Sequence, residues 1–394
     1  MNKSITPLQE AEAQQTVQSY FEDWIEKHGK ANLRPSSIAS YQGIIRNYIV
    51  PYLGQVPLQQ LSAPMIDEAL GRLTDRGLSP GVVRLVRKTM SAALEQARKY
   101  HYIESNPTKD LITKLAKDNK TPEPYTISQM QQLLSRTLGT RWEMPVMLAG
   151  LYGLRISEVL GLRWDNVDLE RGVFSVCEQL PYKVPAGTTV ISSMAPVKSL
   201  DRELPITDMA RPYFLRQKQL QQRRMEMARM GGGVYYDNRL VVASENGAPY
   251  RRERMSNDFG RLLRALEMPH IRFHDLRHTA ATNMHELTGD FYTVGNILGH
   301  SLGGTGLQLQ LPAGLDATTA RYVSVRMDRK RTVLEAYHRE FLPPCRRAKV
   351  LRKTDLCHVK KPISIGTFLK ESSRTGAGCG YADGLCNRFQ RKVL

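Results

Sequence analysis

The stretch from Thr108 to Pro124, TKDLITKLAKDNKTPEP, constrains this chain more than any other segment of it. Its lysines, asparagine and closing prolines bury little and interrupt regular structure, which is the composition of an exposed connection. A chain of 394 residues with 41% hydrophobic content has apolar side chains enough for two cores, and this connection marks where they part. The expected divisions are a short polar N-terminus over 1–13, a helical domain over 14–118, a mixed α/β domain over 119–342 and a basic tail over 343–394.

In the first domain Val17, Tyr20, Phe21 and Trp24 recur at helical spacing, as do Tyr41, Ile44, Ile45 and Tyr48. Pro35 introduces the second of these helices, and Pro51, Gly54 and Pro57 are expected to stop it. A third helix is expected from about Ala63 to Asp75. A fourth opens at Ser79-Pro80-Gly81, where serine caps and proline presets the first turn, and runs to about Tyr100. On it Arg84, Arg87 and Lys88 share a face suited to a phosphate backbone, although a merely solvated face has the same composition.

The second domain starts at Tyr125-Thr126-Ile127-Ser128, where a hydroxyl cap leads into a helix carrying Met130, Leu133 and Leu134, and a further helix covers Met144 to Leu151. Phe174–Cys177 and Thr189–Ser192 alternate as strands do, and Pro196–Ile206 reads as a turn entering another strand. Helices are expected over Pro212–Met230, too polar to be deeply buried, and over Arg252–Ala265. A last amphipathic helix, Asp328–Phe341, gathers Val333, Leu334, Tyr337 and Phe341 on one face, to dock on its own domain or on a neighbour. The fold class is therefore mainly α with a small β-sheet.

Charge narrows the partners. Lys and Arg number 56 against 38 Asp and Glu, a net charge of +18 that favours polyanions such as nucleic acid. Half of that excess sits in the tail, with twelve basic residues against three acidic ones. The first fifteen residues hold no apolar leader core, and no later run approaches the roughly eighteen apolar residues that a membrane span needs; a soluble, intracellular protein is expected. Cys177 stands alone, while Cys345, Cys357, Cys379 and Cys386 lie in the tail without a close C-x2-C pair. No disulfide framework organises the body, and the tail, which has no periodicity, is expected to be disordered.

The chemistry concentrates in Phe273-His274-Asp275-Leu276-Arg277-His278. On a helix His274, Arg277 and His278 project from roughly one face, which suits an anion. Two histidines four apart with an acid between them also suit zinc, with His300 as a further ligand and Asp275 as base. A plain helix start stabilised by Asp275 is the third reading. Earlier in the chain Arg155 stands at a helix start beside Ile156, Val159 and Leu160, with Glu158 one turn on. Its guanidinium is either paired with an acid or held ready for a phosphate. Lys198 falls near a β-turn, where lysines are commonly only solvated.

Set in order, Leu154-Arg155, Lys198, His274-x-x-Arg277, Leu298-Gly299-His300 and Tyr322 resemble the tyrosine recombinase, or phage integrase, family across roughly residues 14–342. GLRISEVLGLRW and HDLRH carry most of the resemblance, with LGHS and TARYV in support. It implies a helical core-binding domain followed by a mixed α/β catalytic domain, and a site-specific recombinase of mobile-element integrase type. Such an enzyme cleaves and rejoins DNA through a covalent 3′-phosphotyrosyl link without metal, ATP or another cofactor. By this resemblance Arg155 and Arg277 stabilise the charge growing on the phosphate, Tyr322 attacks, and His274 assists as acid or base. Lys198 protonates the departing 5′ hydroxyl, and His300 hydrogen-bonds the phosphate. Tyr322 follows His300 by 22 positions, across a Gly- and Gln-rich insert over 302–315, and Tyr337 is the other candidate nucleophile. The resemblance also implies double-stranded DNA as partner, a tetramer on paired sites, accessory DNA-bending or directionality proteins, and a bacterial cytoplasmic location, on the nucleoid when DNA-bound. A family member that binds DNA without cleaving it is the alternative.

Overall fold

Thr16 starts the first helix by accepting a hydrogen bond from the Ser19 backbone N–H at its side-chain oxygen, and Val17, Tyr20, Phe21 and Trp24 line the buried face of α1 (Val17–Trp24). The computed structural model describes residues 15–113, 123–181, 184–197, 201–300 and 325–342. The helix axis of α1 continues through a π-helical segment, Ile25–Gly29, into Lys30–Asn32. α2 (Pro35–Ile44) does the same through Ile45–Ile49 into Val50–Leu53. Pro51 thus does not stop the second helix as the sequence suggests. The widened π ladder just before it relaxes the backbone pairing that a proline disrupts, and the segment ends at Leu53.

α3 (Ala63–Asp75) and α4 (Pro80–Lys99) complete this layer. The Ser79 hydroxyl accepts from the Val82 N–H, so the expected cap is in place. Ile66, Leu70 and Leu73 of α3 meet Val83, Val86, Met90 and Leu94 of α4 in one buried cluster with Phe21 and Ile49. The Tyr20 hydroxyl is the polar tie, donating to the Ala93 carbonyl at 2.8 Å.

A second, separate core begins at Tyr125. Thr126 and Gln129 form a capping box that opens α5 (Ile127–Thr137). α6 (Glu143–Leu151) is apolar all round and buried from Met144 to Leu151, as a helix at the centre of a domain must be. The short α7 (Ile156–Gly161) follows. β1 (Val167–Asp168), β2 (Val173–Val176) and β5 (Arg202–Pro205) form an antiparallel sheet in that order, with Val173 opposite Pro205 and Val176 opposite Arg202. β3 (Glu178–Gln179) and β4 (Ala195–Pro196) pair separately. The alternating segment Thr189–Ser192 is not a strand. Val190 is exposed, and Asn238 holds the segment by its side chain, accepting from Ile191 N and donating to the Thr189 carbonyl.

α8 (Arg211–Met230) buries only Phe214 and Gln221, in keeping with its polar sequence. α9 (Arg252–Ala265), α10 (Asp275–Thr288), α11 (Phe291–Leu298) and α12 (Met327–Arg339) finish the described chain. α12 docks on its own domain: Val333, Leu334 and Tyr337 lie in the second core, and Gln131 of α5 donates to the Glu340 carbonyl. Its apolar face is thereby consumed within the chain and is not presented to a neighbour. The tail over 343–394 and the insert over 302–315 lie outside the described residues.

Candidate active site

At the end of α6 the chain reverses through Gly153, whose φ of +68° is the left-handed conformation. A Cβ there would lie 2.3 Å from the Leu298 Cδ2 atom, so a larger residue would have to displace the end of that side chain as well as adopt the left-handed backbone. The reversal delivers Arg155 to the position just before α7. No Ser or Asp caps that helix. Instead the Glu158 carboxylate reaches back, accepting from the Arg155 backbone N–H at 3.0 Å and from its Nη1 at 2.9 Å. The Arg155 side chain stays 26% exposed while its partner is fully enclosed.

Glu158 has a second cationic partner that the sequence did not advertise. Arg202, the first residue of β5, donates from Nη2 to Glu158 Oε2 at 2.8 Å and from Nε to the Ile297 carbonyl at 2.7 Å. Burial alone would raise the carboxyl pKa, but Arg202 and then Arg155 overcome it and bring Glu158 down to about 2. A buried carboxylate thus ties two guanidinium groups from α7 and β5 to one point.

Arg277 sits in the first turn of α10 and is 4% exposed. It donates from Nη1 to the Gly153 carbonyl at 2.7 Å and from Nη2 to the Leu298 carbonyl at 2.8 Å. Burial, then the nearby Arg155, pull it below the usual guanidinium range, yet it remains cationic at neutral pH. Two successive carbonyls at the C-terminus of α11, Ile297 and Leu298, therefore each receive a buried arginine, where the helix dipole favours positive charge. Gly299 closes that helix in the left-handed region, and the next residue, His300, donates its backbone N–H to the Gly295 carbonyl.

The side chain of His300 is pushed down to about 4 by burial and by Arg277, Arg155 and Arg202. His274 is lowered by burial and by His278 and Arg277. Both are neutral at pH 7. Among the described residues, three guanidinium groups lie around the one carboxylate of Glu158, two of them paired with it, and an incoming anion would add to that balance.

Of the residues singled out in the sequence, Arg155 and Arg277 come within electrostatic range of each other and of both His274 and His300. His274, Arg277 and His278 do not form one common face. His274 precedes the helix as its cap, and it and His278 are exposed with their rings edge to face at 5.2 Å, while Arg277 turns inward. Asp275, the base of the zinc reading, is buried and gripped by Arg272 through Nε at 3.0 Å and Nη2 at 2.8 Å. Lys198 and Tyr322 lie outside the described residues. The chain entering Lys198 is tied to β3, with Gln179 donating from Nε2 to the Pro196 carbonyl and Val197 N to the Cys177 carbonyl. β3 in turn lies against α7, with Leu180 N donating to the Ser157 carbonyl and the Ser157 hydroxyl to Gln179. Tyr337 is fully buried, donates its hydroxyl to the Gly150 carbonyl at 2.9 Å, and has its pKa raised by burial. It is a core residue and not placed to attack anything.

Outside this cluster, Lys88 on α4 is exposed and Arg84 and Arg87 are half-buried. An open depression beside α9 is walled by Arg261, Arg264, His270 and Arg272, immediately before His274 in the chain. Arg202 was missed because, between Asp201 and Glu203, it reads as part of a charged turn. Its only sequence signal is the Leu204-Pro205-Ile206 run that makes β5 a buried strand.

Residues 123–305 match the Phage integrase family, and residues 16–73 match the phage integrase N-terminal SAM-like domain. Among curated proteins, the chain is 23% identical to a tyrosine recombinase XerC-like protein of Caldanaerobacter subterraneus subsp. tengcongensis, across 73% of this chain and 76% of that one. It is also 23% identical to the ICEBs1 integrase of Bacillus subtilis, across 68% and 71%. Among solved structures, the Tn1549 transposon integrase in complex with transposon right end DNA superimposes with a TM-score of 0.62 at 22% identity, over 78% of this chain and 98% of that one. The lambda integrase tetramer bound to a Holliday junction superimposes with a TM-score of 0.57 at 17% identity, over 76% and 82%. These likenesses extend over both cores, and at such identities the structural ones speak for the fold.

Proposed function

The chain belongs to the phage integrase family of tyrosine recombinases, enzymes that break and rejoin DNA at specific sites, and from that premise we propose how its residues divide the work. The observation that carries the proposal is the cluster itself: Arg155 and Arg277 beside two neutral histidines. The substrate is double-stranded DNA and the reacting group is one phosphodiester. Its non-bridging oxygens gain negative charge as an oxygen nucleophile adds to phosphorus, and fixed guanidinium groups stabilise that charge most where water is excluded.

Tyr322 attacks phosphorus through its phenolic oxygen, the bond from phosphorus to the 5′ oxygen breaks, and a 3′-phosphotyrosyl ester forms. A phenol is a weak nucleophile at neutral pH, and neutral His274 takes its proton. Lys198 gives a proton to the departing 5′ oxygen, and His300 donates a ring N–H to a non-bridging oxygen. Rejoining is the same sequence in reverse with a 5′ hydroxyl from another strand. The ester conserves the phosphodiester energy, so the cycle calls on neither ATP nor metal.

The two cores support a division into a core-binding domain over 14–118 and a catalytic domain over 119–342. Arg84, Arg87 and Lys88 of the first and the basic depression beside α9 of the second then face the duplex backbone. Exchange between two duplexes calls for four protomers, as in the lambda integrase tetramer on a Holliday junction, with accessory DNA-bending or directionality proteins acting on the assembly. The protein works in the cytoplasm. Among the described residues no helix is long and apolar enough to cross a membrane.

A nicked suicide duplex, bearing a site recovered by binding selection from random DNA, tests this directly. The wild-type protein is expected to trap as a covalent adduct, Tyr322→Phe to yield none, and Tyr337→Phe to retain it. No adduct on a duplex that the protein demonstrably binds would mean binding without cleavage and would end the proposal.

A further inference from the structure

Arg202 follows Lys198 by four residues and has no assigned role, yet it joins two separate parts of the site. It is 5% exposed. Through Nη2 it holds Glu158 Oε2, and Glu158 Oε1 in turn holds Nη1 of Arg155. Through Nε it holds the Ile297 carbonyl, three residues before His300. The neighbouring carbonyl, Leu298, is held by Arg277, whose other donor reaches back to Gly153, two residues before Arg155. The connections form a closed circuit through α7, β5, α10 and the end of α11.

A planar guanidinium can serve a carboxylate and a carbonyl at once from fixed positions; an ammonium on a flexible stem cannot hold both in one geometry. Burying such a pair is no route to stability in itself, since the lost hydration offsets much of the attraction. A buried ionic link of this kind instead fixes relative positions. The elements it fixes are those that carry three of the phosphate-facing groups.

We propose that Arg202 is a positioning residue for strand cleavage: by clamping Glu158 and the Ile297 carbonyl together, it holds Arg155, Arg277 and His300 in one phosphate-receiving geometry. This rests on the assignment of the cluster as the cleavage site. Arg202 itself does not touch the phosphate. Its loss therefore acts on the rate of the chemical step, while affinity for DNA, which is spread over many backbone contacts, stays nearly unchanged.

The test measures duplex affinity, thermal midpoint and single-turnover adduct formation for the wild type, Arg202→Gln and Arg202→Lys. The same measurements are made on a duplex whose scissile phosphate is a neutral methylphosphonate. Arg202→Gln is expected to slow adduct formation about a hundredfold with affinity within about threefold of wild type. Its deficit should shrink on the methylphosphonate, because a neutral reacting group asks less of aligned guanidinium charge. Arg202→Lys, which keeps a cation opposite Glu158, is expected to fold and bind but to cleave about tenfold slower. Should Arg202→Gln fail to fold, the Lys variant decides alone: slow cleavage with normal binding upholds the proposal, and wild-type cleavage overturns it. An equal deficit on both phosphates, or loss of affinity in step with rate, assigns Arg202 to the fold and overturns it too. Wild-type protein that binds but forms no adduct removes the underlying site assignment instead.

Discussion

Arg277 commits two of its donors to the Gly153 and Leu298 carbonyls, and this anchoring is what turns a flexible side chain into a fixed charge. A lysine at the same place has no second arm with which to span the two carbonyls. Arg277→Lys is therefore expected to lower adduct formation about a hundredfold or more, in the range seen when one transition-state donor is removed, with duplex affinity little changed. A Kd that rises in proportion to the lost rate would make Arg277 a binding residue. Tyr337→Phe loses one buried hydrogen bond to the Gly150 carbonyl and should cost about 1 kcal/mol of stability at unaltered cleavage, measurable by urea unfolding beside the adduct assay. At this scale the sequence revealed residues whose neighbours in the chain are themselves informative: Arg155 inside GLRISEVLGLRW, and His274 with Arg277 in HDLRH. It concealed Arg202, whose meaning arises only when β5 is laid against α7 and α11. Spacing alone also does not say that Arg277 turns inward while His274 and His278 stay at the surface.

Helices were legible because their caps and apolar stripes are local. Ser79 and Thr126 cap where expected, and α9 and the buried α6 follow their patterns closely. Strands were less so. Alternation in Thr189–Ser192 lacks the pairing partner that makes a strand, whereas β3 and β4 are two-residue pairs fixed by their fit to α7. Gly161 marks that fit: an added Cβ would lie 2.4 Å from the Leu180 backbone nitrogen, so Gly161→Ala must push β3 away. A stability loss of about 1–3 kcal/mol is expected, with cleavage slowed because the strand leading to Lys198 shifts; a variant melting like wild type would place that strand elsewhere. α12 offers a test in pH. His338 is buried, its Nδ1 paired with the Thr207 hydroxyl and its Nε2 near the Leu151 carbonyl, and burial pushes its pKa down to about 4. The unfolded chain binds this proton near 6.5 and the folded one does not, so the contribution is whole above about 6.5 and fades as pH falls toward 4. Two to three pKa units correspond to about 3 kcal/mol. Urea unfolding from pH 8 to 4 should show wild type losing stability more steeply than His338→Gln, and parallel curves would contradict a neutral buried His338.

For the whole molecule the governing quantity is charge. A net +18 on 394 residues is far more than solubility calls for, and its effect on a polyanion is to release the counterions condensed along it. If the protein neutralises about six to ten phosphates, its affinity for duplex DNA should fall about 10³- to 10⁵-fold between 50 and 200 mM salt, with a log–log slope near −0.9 per phosphate. Residues differ in their share of this slope according to exposure. Lys88 is exposed on α4, so Lys88→Ala should lessen the slope by about one and weaken specific and random duplexes alike. Arg87 is half-buried and lies within electrostatic range of Asp67, so part of its charge is already balanced and Arg87→Ala should change the slope less. The cleavage cluster behaves differently again. Its charges are enclosed and meet one phosphate, so Arg155→Ala should leave the salt slope within about one unit of wild type while abolishing the adduct. Fluorescence anisotropy titrations at several salt concentrations, run beside the trapping assay, separate the two kinds of charge. A salt slope near zero would show that the basic surface is not what holds the duplex.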